Sequence, residues 1–248
     1  MRLLILFAFP REVKEAMRTL GRTERIDGLP FKAFCIRHPS HGITMVETGM
    51  GVGNAARVLL HRLQTDRPDE VLSLGYCGAL SSGASVGDVV WASSVCLIDG
   101  QKIETLSLPD KRELLEKLSL RFPVRAGTFF TMKEWMTKRD IAPFVIPETI
   151  LPVCDMETFG LARLCDSHKL PFLALRAVSD DVDTDLLFDP WSVCDNSGIY
   201  SIARAARLFL TRPHLLSHVI GLYRNSKIAS SNLAQAVSAL IRLMADSS

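Results

Sequence analysis

The chain has 248 residues, of which 48% are hydrophobic and 23% charged, and its formal net charge is +2. This composition excludes a disordered chain, and the near balance of charges without a clustered basic face argues against a nucleic-acid partner. A chain of this length buries most of the surface that it exposes when unfolded, so we expect a globular protein that folds without disulfides.

The six cysteines are scattered and form no C-x-x-C pair, which predicts buried thiols in a reducing cytoplasm and no metal site. The apolar run at 3–9 is short, ends at Pro10 and lacks a small-residue cleavage site. It therefore predicts a first strand rather than a signal peptide. No run reaches the roughly 18 apolar residues that a membrane span needs.

Strands and helices alternate along the chain. The predicted strands lie at 3–9, 31–37, 43–47, 70–74, 88–94, 125–130 and 172–178. The predicted helices lie at 12–20, 55–63, 111–120 and 157–168, and the chain from Ile202 onward is predicted to be helical, with breaks near Pro213 and between Asn225 and Asn232.

This order predicts an α/β fold in which a mixed central sheet is flanked by helices on both sides. We expect a single domain over residues 1–248, with a core at about 1–200 and a helical C-terminal extension at about 201–248. Ligands of such sheets bind beyond the carboxyl ends of the strands. Polar or glycine-rich segments follow apolar strands at 9–12, 48–51, 75–78 and 179–180.

Two of these segments are rich in glycine. The turn at 48–53, which includes Gly51, lies between a strand and a helix, and its backbone could approach an anion or a sugar. The stretch Gly75-Tyr76-Cys77-Gly78 has the same character. Each is a weak signal alone, and a simple tight turn is the competing interpretation.

The acidic residues are more specific. Asp155 and Glu157 stand at a predicted helix start, where carboxylates are often caps. Asp181 and Asp183 fit a solvated loop, but Asp180 stands directly at the end of a buried strand. The interpretation as a solvated loop is therefore weaker for Asp180.

Three segments together resemble the nucleoside phosphorylase/nucleosidase superfamily, which includes methylthioadenosine/S-adenosylhomocysteine nucleosidase. They are the glycine segment at 48–55, the 75–88 stretch Gly-Tyr-Cys-Gly-Ala…Val-Gly-Asp, and the 155–180 stretch Asp-Met-Glu…Leu-Pro-Phe…Arg-Ala-Val-Ser-Asp. The N-terminal Ala-Phe-Pro-Arg-Glu-Val at 8–13 also fits. The resemblance implies an enzyme that releases the base of a purine, adenine-type nucleoside.

The resemblance also implies roles for single residues. Asp180 would protonate the purine N7 as a general acid, kept neutral by burial at the strand end, with Ser179 orienting it. Met156 and Glu157 would hold the ribose. Glu12 would position the attacking water.

Other residues would line the substrate site. Trp135, with Met136 beside it, falls where this family places an aromatic ring against the purine, although it could be a core residue. Gly51, Tyr76, Cys77 and Gly78 would complete the pocket. Tyr76 and Lys133 depart from the family pattern, which puts methylthioadenosine itself in doubt as the substrate.

The segment at 204–224 resembles the tail of the hopanoid-associated phosphorylase branch, which implies adenosylhopane as a further candidate substrate. Residues 213–224 form an amphipathic pattern that ends near Arg224 and Lys227. Such a helix could lie on a membrane surface, but packing on the sheet or on a second subunit is the favoured interpretation.

Several alternatives stay open. The nucleophile could be water, which is slightly favoured, or phosphate as a co-substrate; no other cofactor is expected. The resemblance implies a homodimer. A non-catalytic nucleoside-binding protein on the same fold is the second hypothesis, and a dinucleotide oxidoreductase is weaker because its glycine fingerprint is incomplete.

Overall fold

The computed structural model describes residues 1–38 and 41–246, and it places one mixed sheet between two layers of helices. The strands are β1 (Arg2–Phe7), β2 (Thr23–Ile26), β3 (Ala33–Arg37), β4 (Gly42–Glu47), β5 (Glu70–Ala79), β6 (Val89–Asp99), β7 (Lys102–Ser107), β8 (Val124–Met132), β9 (Pro152–Asp155) and β10 (Phe172–Asp180). The helices are α1 (Pro10–Leu20), α2 (Val52–Thr65), α3 (Arg112–Ser119), α4 (Lys138–Ile141), α5 (Thr158–Ser167), α6 (Ile202–Thr211) and α7 (Leu215–Asp246). Short 3-10 helices span Ala142–Phe144 and Pro190–Val193. The predicted fold class is confirmed.

Strand β1 shows how the sheet separates two cores. Leu3, Ile5 and Phe7 pack toward α1, α3 and α7, whereas Leu4 and Leu6 pack toward α2 and α5. Because successive side chains of a strand point to opposite faces, a strand covered on both sides must be apolar throughout. This explains the uninterrupted apolar sequence at the N-terminus.

The pairing of the strands brings the predicted ligand segments together. Strand β10 pairs with both β5 and β6, so β5, β9, β8, β6 and β10 close into a ring, from which β1, β4, β3 and β2 extend. Strands β1, β4, β5 and β10 are mutually parallel. Their carboxyl ends therefore share one edge of the sheet.

Several elements differ from the sequence prediction. Strand β5 continues through the glycine pair that was expected to end it, because β10 pairs along it as far as Asp180 opposite Gly78. Strands β2 and β7 were not predicted; each is a partly exposed strand of mixed polarity that pairs antiparallel with its neighbour. Strand β9 and helix α4 were missed because each has only four residues.

The predicted break near Pro213 is confirmed, but the one between Asn225 and Asn232 is wrong. Helix α7 is continuous there because the polar side chains have partners. The Ser226 hydroxyl donates to the carbonyl of Tyr223 (2.9 Å), and Asn232 donates to the carbonyl of Gly87 (2.8 Å). Polar residues that are typical of a loop in the sequence are thus satisfied by hydrogen bonds within the helix and to Gly87.

The second half of α7 belongs to the core. Leu233, Val237, Leu240 and Ile241 are fully buried against the sheet and α1. Among the described residues, α7 is the one helix long and apolar enough to cross a membrane, yet 56% of its most apolar window is buried inside the protein. That burial is typical of a core helix.

We expect Leu240→Ala to lower the free energy of unfolding by about 2–5 kcal/mol, because it leaves a cavity in the core. Leu216→Ala is the matched control on the same helix: Leu216 is 46% exposed, and its replacement should change stability by about 0.5 kcal/mol or less. Urea denaturation measures both values. Equal effects would show that the two halves of α7 are not packed differently.

Candidate functional site

Glu12 lies at the shared edge of the sheet and is almost completely buried. As the third residue of α1, it accepts hydrogen bonds from the backbone N–H groups of Ala8 and Phe9, both at 2.9 Å. Its other oxygen accepts from the N–H of Tyr76 at 3.2 Å. Burial raises the pKa of Glu12, although the bond from Phe9 and the charge of Arg176 oppose the rise. Glu12 thus caps the start of α1 and also binds the backbone of β5 at the edge where the parallel strands end.

Opposite charges approach the backbone closely at Gly75. A Cβ atom at Gly75 would lie 3.0 Å from Oε1 of Glu12 and 3.4 Å from Nε of Arg176. This Nε is buried and has no hydrogen-bond partner among the described residues. The arrangement therefore offers an acceptor and a donor to a small polar molecule.

Arg176 is a site residue that the sequence analysis quoted only as part of a motif. It is 2% exposed, and its Nη2 lies 3.0 Å from both Oδ2 of Asp155 and Oγ of Ser73. Asp155 also accepts from the backbone N–H of Thr158 at 3.1 Å, which confirms its expected role as a helix cap. The guanidinium is therefore fixed by a fully buried ion pair.

Glu157 joins two elements at the site. Its Oε1 accepts a hydrogen bond of 2.8 Å from the N–H of Gly51, which precedes α2 and has a positive φ of 94°. Burial, and then the negative charge of Asp155, raise the pKa of Glu157, and Arg176 acts in the opposite direction. Met156 beside it is buried. Glu157 thus bridges the glycine turn and the start of α5.

Asp180 ends β10 and has two side-chain partners. The Ser179 hydroxyl donates to its Oδ1 at 2.7 Å, as an orienting residue would. The ammonium of Lys138 lies 2.6 Å from its Oδ2, and both side chains are about nine-tenths buried. Lys138 also donates to the backbone carbonyls of Asp180 and Asp181. The expectation of a neutral acid isolated by burial did not include this cation.

Gly78 allows the carboxylate of Asp180 to approach the backbone. A Cβ atom there would lie 2.6 Å from Oδ2 of Asp180 and 3.0 Å from Sγ of Cys154. Burial, and then the nearby charge of Asp180, raise the pKa of Cys154 to about 12, which leaves an inert thiol. The glycine is therefore needed for space rather than for an unusual backbone angle.

One apolar cluster connects the two carboxylates. Its members, called the site cluster below, are Met50, Cys96, Ile98, Phe130, Met132, Ile141, Cys154, Met156 and Cys194, with Phe9, Leu80, Met136, Phe144, Val145 and Trp191 packed against them. Asp180 adjoins this cluster at Cys154, and Glu157 follows Met156 directly. The charge of Asp180 acts on Cys154 and that of Glu157 on Cys194, so the predicted acid and the predicted ribose ligand both lie near the site cluster.

Trp191 is an aromatic residue beside the glycine turn that the sequence analysis did not select. Trp135 is half-buried in the turn before α4, whereas the ring of Trp191 would lie 2.9 Å from a Cβ atom at Gly51. The signal available in the sequence was the Asp-Pro-Trp at 189–191, a helix start with a proline.

Trp191 belongs to a segment, residues 189–200, that lies over the glycine turn and is called the cover below. The N–H of Met50 donates to the carbonyl of Gly198 at 2.9 Å, and Asn54 donates to the carbonyl of Ser197 at 2.7 Å. A ligand that occupies the space above Gly51 must therefore displace part of the cover.

Tyr76 and Cys77 contribute less than the sequence suggested. The Tyr76 hydroxyl lies 3.3 Å from the carbonyl oxygen of Arg11 and 3.2 Å from that of Ser226, between α1 and α7. Only its backbone N–H faces Glu12. Cys77 packs in the core on the α2 and α5 face. Lys133 is exposed and pairs with Asp99 at 2.7 Å.

Buried carboxylates, a cation and an apolar cluster lie together at the strand ends, and the family comparison assigns this site to an enzyme of the nucleosidase or nucleoside phosphorylase class. The family model of the phosphorylase superfamily matches residues 2–206, and the chain belongs to this superfamily.

The relatives agree with that assignment. The chain is 22% identical to aminodeoxyfutalosine nucleosidase of Campylobacter jejuni, over 76% of this chain and 90% of the relative. It is 24% identical to 5′-methylthioadenosine/S-adenosylhomocysteine nucleosidase of Shewanella loihica, over 75% and 88%.

Among solved structures, the fold is similar to the Neisseria meningitidis 5′-methylthioadenosine/S-adenosylhomocysteine nucleosidase in complex with methylthio-immucillin-A. The TM-score is 0.70 at 18% identity, with 98% of this chain and 99% of that chain covered. The futalosine hydrolase of Helicobacter pylori gives a TM-score of 0.73 at 12% identity, covering 98% of each chain.

We expect Glu157→Gln to stabilise the protein relative to wild type as the pH rises. Because the folded-state pKa of Glu157 is raised, its contribution to stability is present at low pH and lost as the pH rises through that pKa. Glutamine still accepts the hydrogen bond from Gly51, and because it does not ionise, it removes the loss of stability at high pH. Urea denaturation at about pH 5 and about pH 9 should show a difference on the order of 1 kcal/mol.

Glu113→Gln is the control. The hydrogen bond from Lys117 lowers the pKa of Glu113, which is fully exposed, so this variant should gain no stability at high pH. If wild type and Glu157→Gln lost stability equally between the two pH values, the raised pKa of Glu157 would be refuted.

Proposed function

We propose that this enzyme hydrolyses the N-glycosidic bond of a 5′-modified purine nucleoside. The supporting observation is the placement of the charges. Glu12 and Arg176 lie together at Gly75, while Glu157 and Asp180 lie next to one apolar cluster. In this arrangement Glu12 can contact the attacking water, Glu157 the ribose and Asp180 the base. The proposed reaction needs no cofactor.

The leaving base receives its proton from Asp180. As the bond breaks, the purine develops negative charge, and the carboxyl of Asp180 transfers its proton to N7. Ser179 orients the carboxyl group. Because the ammonium of Lys138 favours the ionised form of Asp180, substrate binding must weaken this pair before Asp180 carries the proton, and Lys138 stabilises the carboxylate again after the transfer. Lys138 is thus a positioning residue for the acid.

The ribose becomes cationic in the same step, as in other glycoside cleavages. A carboxylate accepts up to about four hydrogen bonds, so the bond from Gly51 leaves Glu157 able to accept from ribose hydroxyls. In its ionised form Glu157 attracts the sugar more strongly in the transition state than in the ground state, which lowers the barrier, and the positive charge that develops on the sugar favours that ionised form.

Water suits the site better than phosphate. A phosphate dianion beside Glu12 and Glu157 would be repelled, and a phosphorylase needs cations to offset that repulsion. Arg176 is already paired with Asp155, and the guanidinium carbon of Arg11 lies 3.8 Å from the centre of the Tyr223 ring. The raised pKa of Glu12 suits it to take a proton from water.

The names of the relatives suggest the substrate class. Methylthioadenosine, S-adenosylhomocysteine and aminodeoxyfutalosine are nucleosides that differ at the 5′ carbon, and we propose that this enzyme acts on a nucleoside of that class. A panel of these compounds with adenosine, assayed for free base by chromatography, identifies the preferred 5′ group. Binding of the whole panel without release of base would refute the proposed hydrolysis.

We further propose a cytoplasmic homodimer. The described cysteines are free thiols, and all but Cys35 are buried, which suits a reducing compartment. Exposed apolar residues away from α6 and α7, among them Ile103, Leu120 and Ile150, leave surface for a second copy. Sedimentation velocity measures the oligomeric state.

We expect Asp180→Asn to lower kcat by about 10²- to 10⁴-fold, because an amide cannot protonate the leaving base. The matched control is Asp181→Asn: the carboxylate of Asp181 accepts from the Thr184 hydroxyl at 2.6 Å and has no proposed chemical role. Its kcat should stay within a few-fold of wild type. Full turnover by Asp180→Asn would exclude Asp180 as the acid.

We expect turnover to be independent of phosphate and to yield free ribose or its 5′-modified form. The assay compares rates in phosphate-free buffer and in buffer with added phosphate, and it analyses the sugar product. Glu12→Gln should abolish most of the activity in both buffers. A sugar 1-phosphate product would overturn the assignment of water as the nucleophile.

A further inference from the structure

The chain carries an unusual distribution of charge near its C-terminus. Its 29 basic and 27 acidic residues are nearly balanced, yet residues 196–245 contain six basic residues and no acidic one. Four of the cations, Arg207, Arg212, Arg224 and Lys227, are exposed on α6, on α7 or between them. Within the described parts of the chain none of these four has an ion-pair partner, so their charges are available to a ligand.

The same region exposes large aliphatic side chains. On α6, Ile202 is 78% and Leu210 84% exposed, and these residues are spaced to lie on one face of the helix. On α7, Leu216, Ile220 and Tyr223 are 46%, 53% and 42% exposed and form a second stripe. We call residues 202–228 the basic apolar segment.

The structure tests whether this segment packs on the sheet of its own chain. Packing on the sheet accounts for Leu215 and for the second half of α7, but the exposed stripes are not packed within the described protein. Since the second half of α7 is committed to the core, the helix cannot cross a bilayer without unfolding the domain. It can lie on the surface of one.

We propose that the basic apolar segment docks on the surface of an anionic lipid bilayer. Cations attract lipid phosphates, and exposed aliphatic side chains such as Leu210 and Ile220 enter the boundary between headgroups and acyl chains. A nucleic acid would match the charge but would not cover these aliphatic groups. An acidic partner protein would need an apolar surface of its own to match both features.

The docked face adjoins the proposed active site. The N–H of Ser201 donates to the carbonyl of Val193, and Arg204 donates to the carbonyl of Cys194, so α6 is fastened to the cover. Arg11, which precedes Glu12, lies against the ring of Tyr223. Docking therefore places the cover and the start of α1 near the lipid surface. The proposal does not depend on which reaction the site performs.

Vesicle sedimentation with the full chain tests the proposal. Wild type should bind vesicles of phosphatidylglycerol and phosphatidylcholine, bind pure phosphatidylcholine far less, and dissociate at high salt. The combined variant R207Q/R212Q/R224Q/K227Q should weaken binding by more than about 100-fold, since each basic residue contributes about fivefold at an anionic surface. L210S/I220S should weaken binding without changing the charge.

The matched control R22Q/R25Q/K102Q/R139Q removes four exposed cations elsewhere and should bind nearly as wild type does. Circular dichroism and thermal melting check that each variant is folded. Failure of wild type to bind anionic vesicles, or equal loss in the control, would overturn the proposal. It would also be overturned if L210S/I220S dissociated an oligomer while vesicle binding persisted, because a second copy would then cover the stripes.

Discussion

The buried guanidinium of Arg176 is the charge on which the site depends. Glu12, Asp155 and Glu157 all lie near it, and placing three carboxylates in an apolar enclosure without a cation would favour their protonation. Arg176 pairs with only one of them, and burial raises the pKa of both Glu12 and Glu157 although the charge of Arg176 opposes the rise. The pKa of about 8 allows Glu157 to exchange protons near neutral pH.

The glycines at this edge serve two different physical needs. Gly49 and Gly51 have positive φ angles and turn the chain from β4 into α2. Gly75 and Gly78 lie within the extended β5, where other residues are allowed, but a Cβ atom at either would collide with a carboxylate. Gly75 and Gly78 therefore allow Glu12 and Asp180 to approach the backbone of β5 closely. A search of the sequence for glycine-rich turns cannot distinguish these two glycines from Gly49 and Gly51, which are needed for their backbone angles.

The sequence predicted the sheet edge well because strand ends are a local property of the chain. Apolar runs followed by glycines or acids located the segments of Glu12 and Asp180 without any knowledge of the pairing, whereas Glu157 was selected through the family resemblance. Lys138 and Trp191 were missed because their partners, Asp180 and Gly51, are far away in the sequence. The continuity of α7 was missed for the same reason, since its polar residues are satisfied by distant backbone groups.

The two halves of helix α7 lie in different environments, one in the core and one at the surface. Its second half is buried and needs no charge, whereas its first half, with α6, concentrates cations and exposed aliphatic residues. Because residues 196–245 hold six basic residues and no acidic one while the whole chain is only +2, the remainder has more acidic than basic residues. A molecule with this separation of charge is turned by an anionic surface, which attracts the basic end and repels the rest. The same field therefore both attracts the protein and selects the orientation in which the cover lies near the lipid.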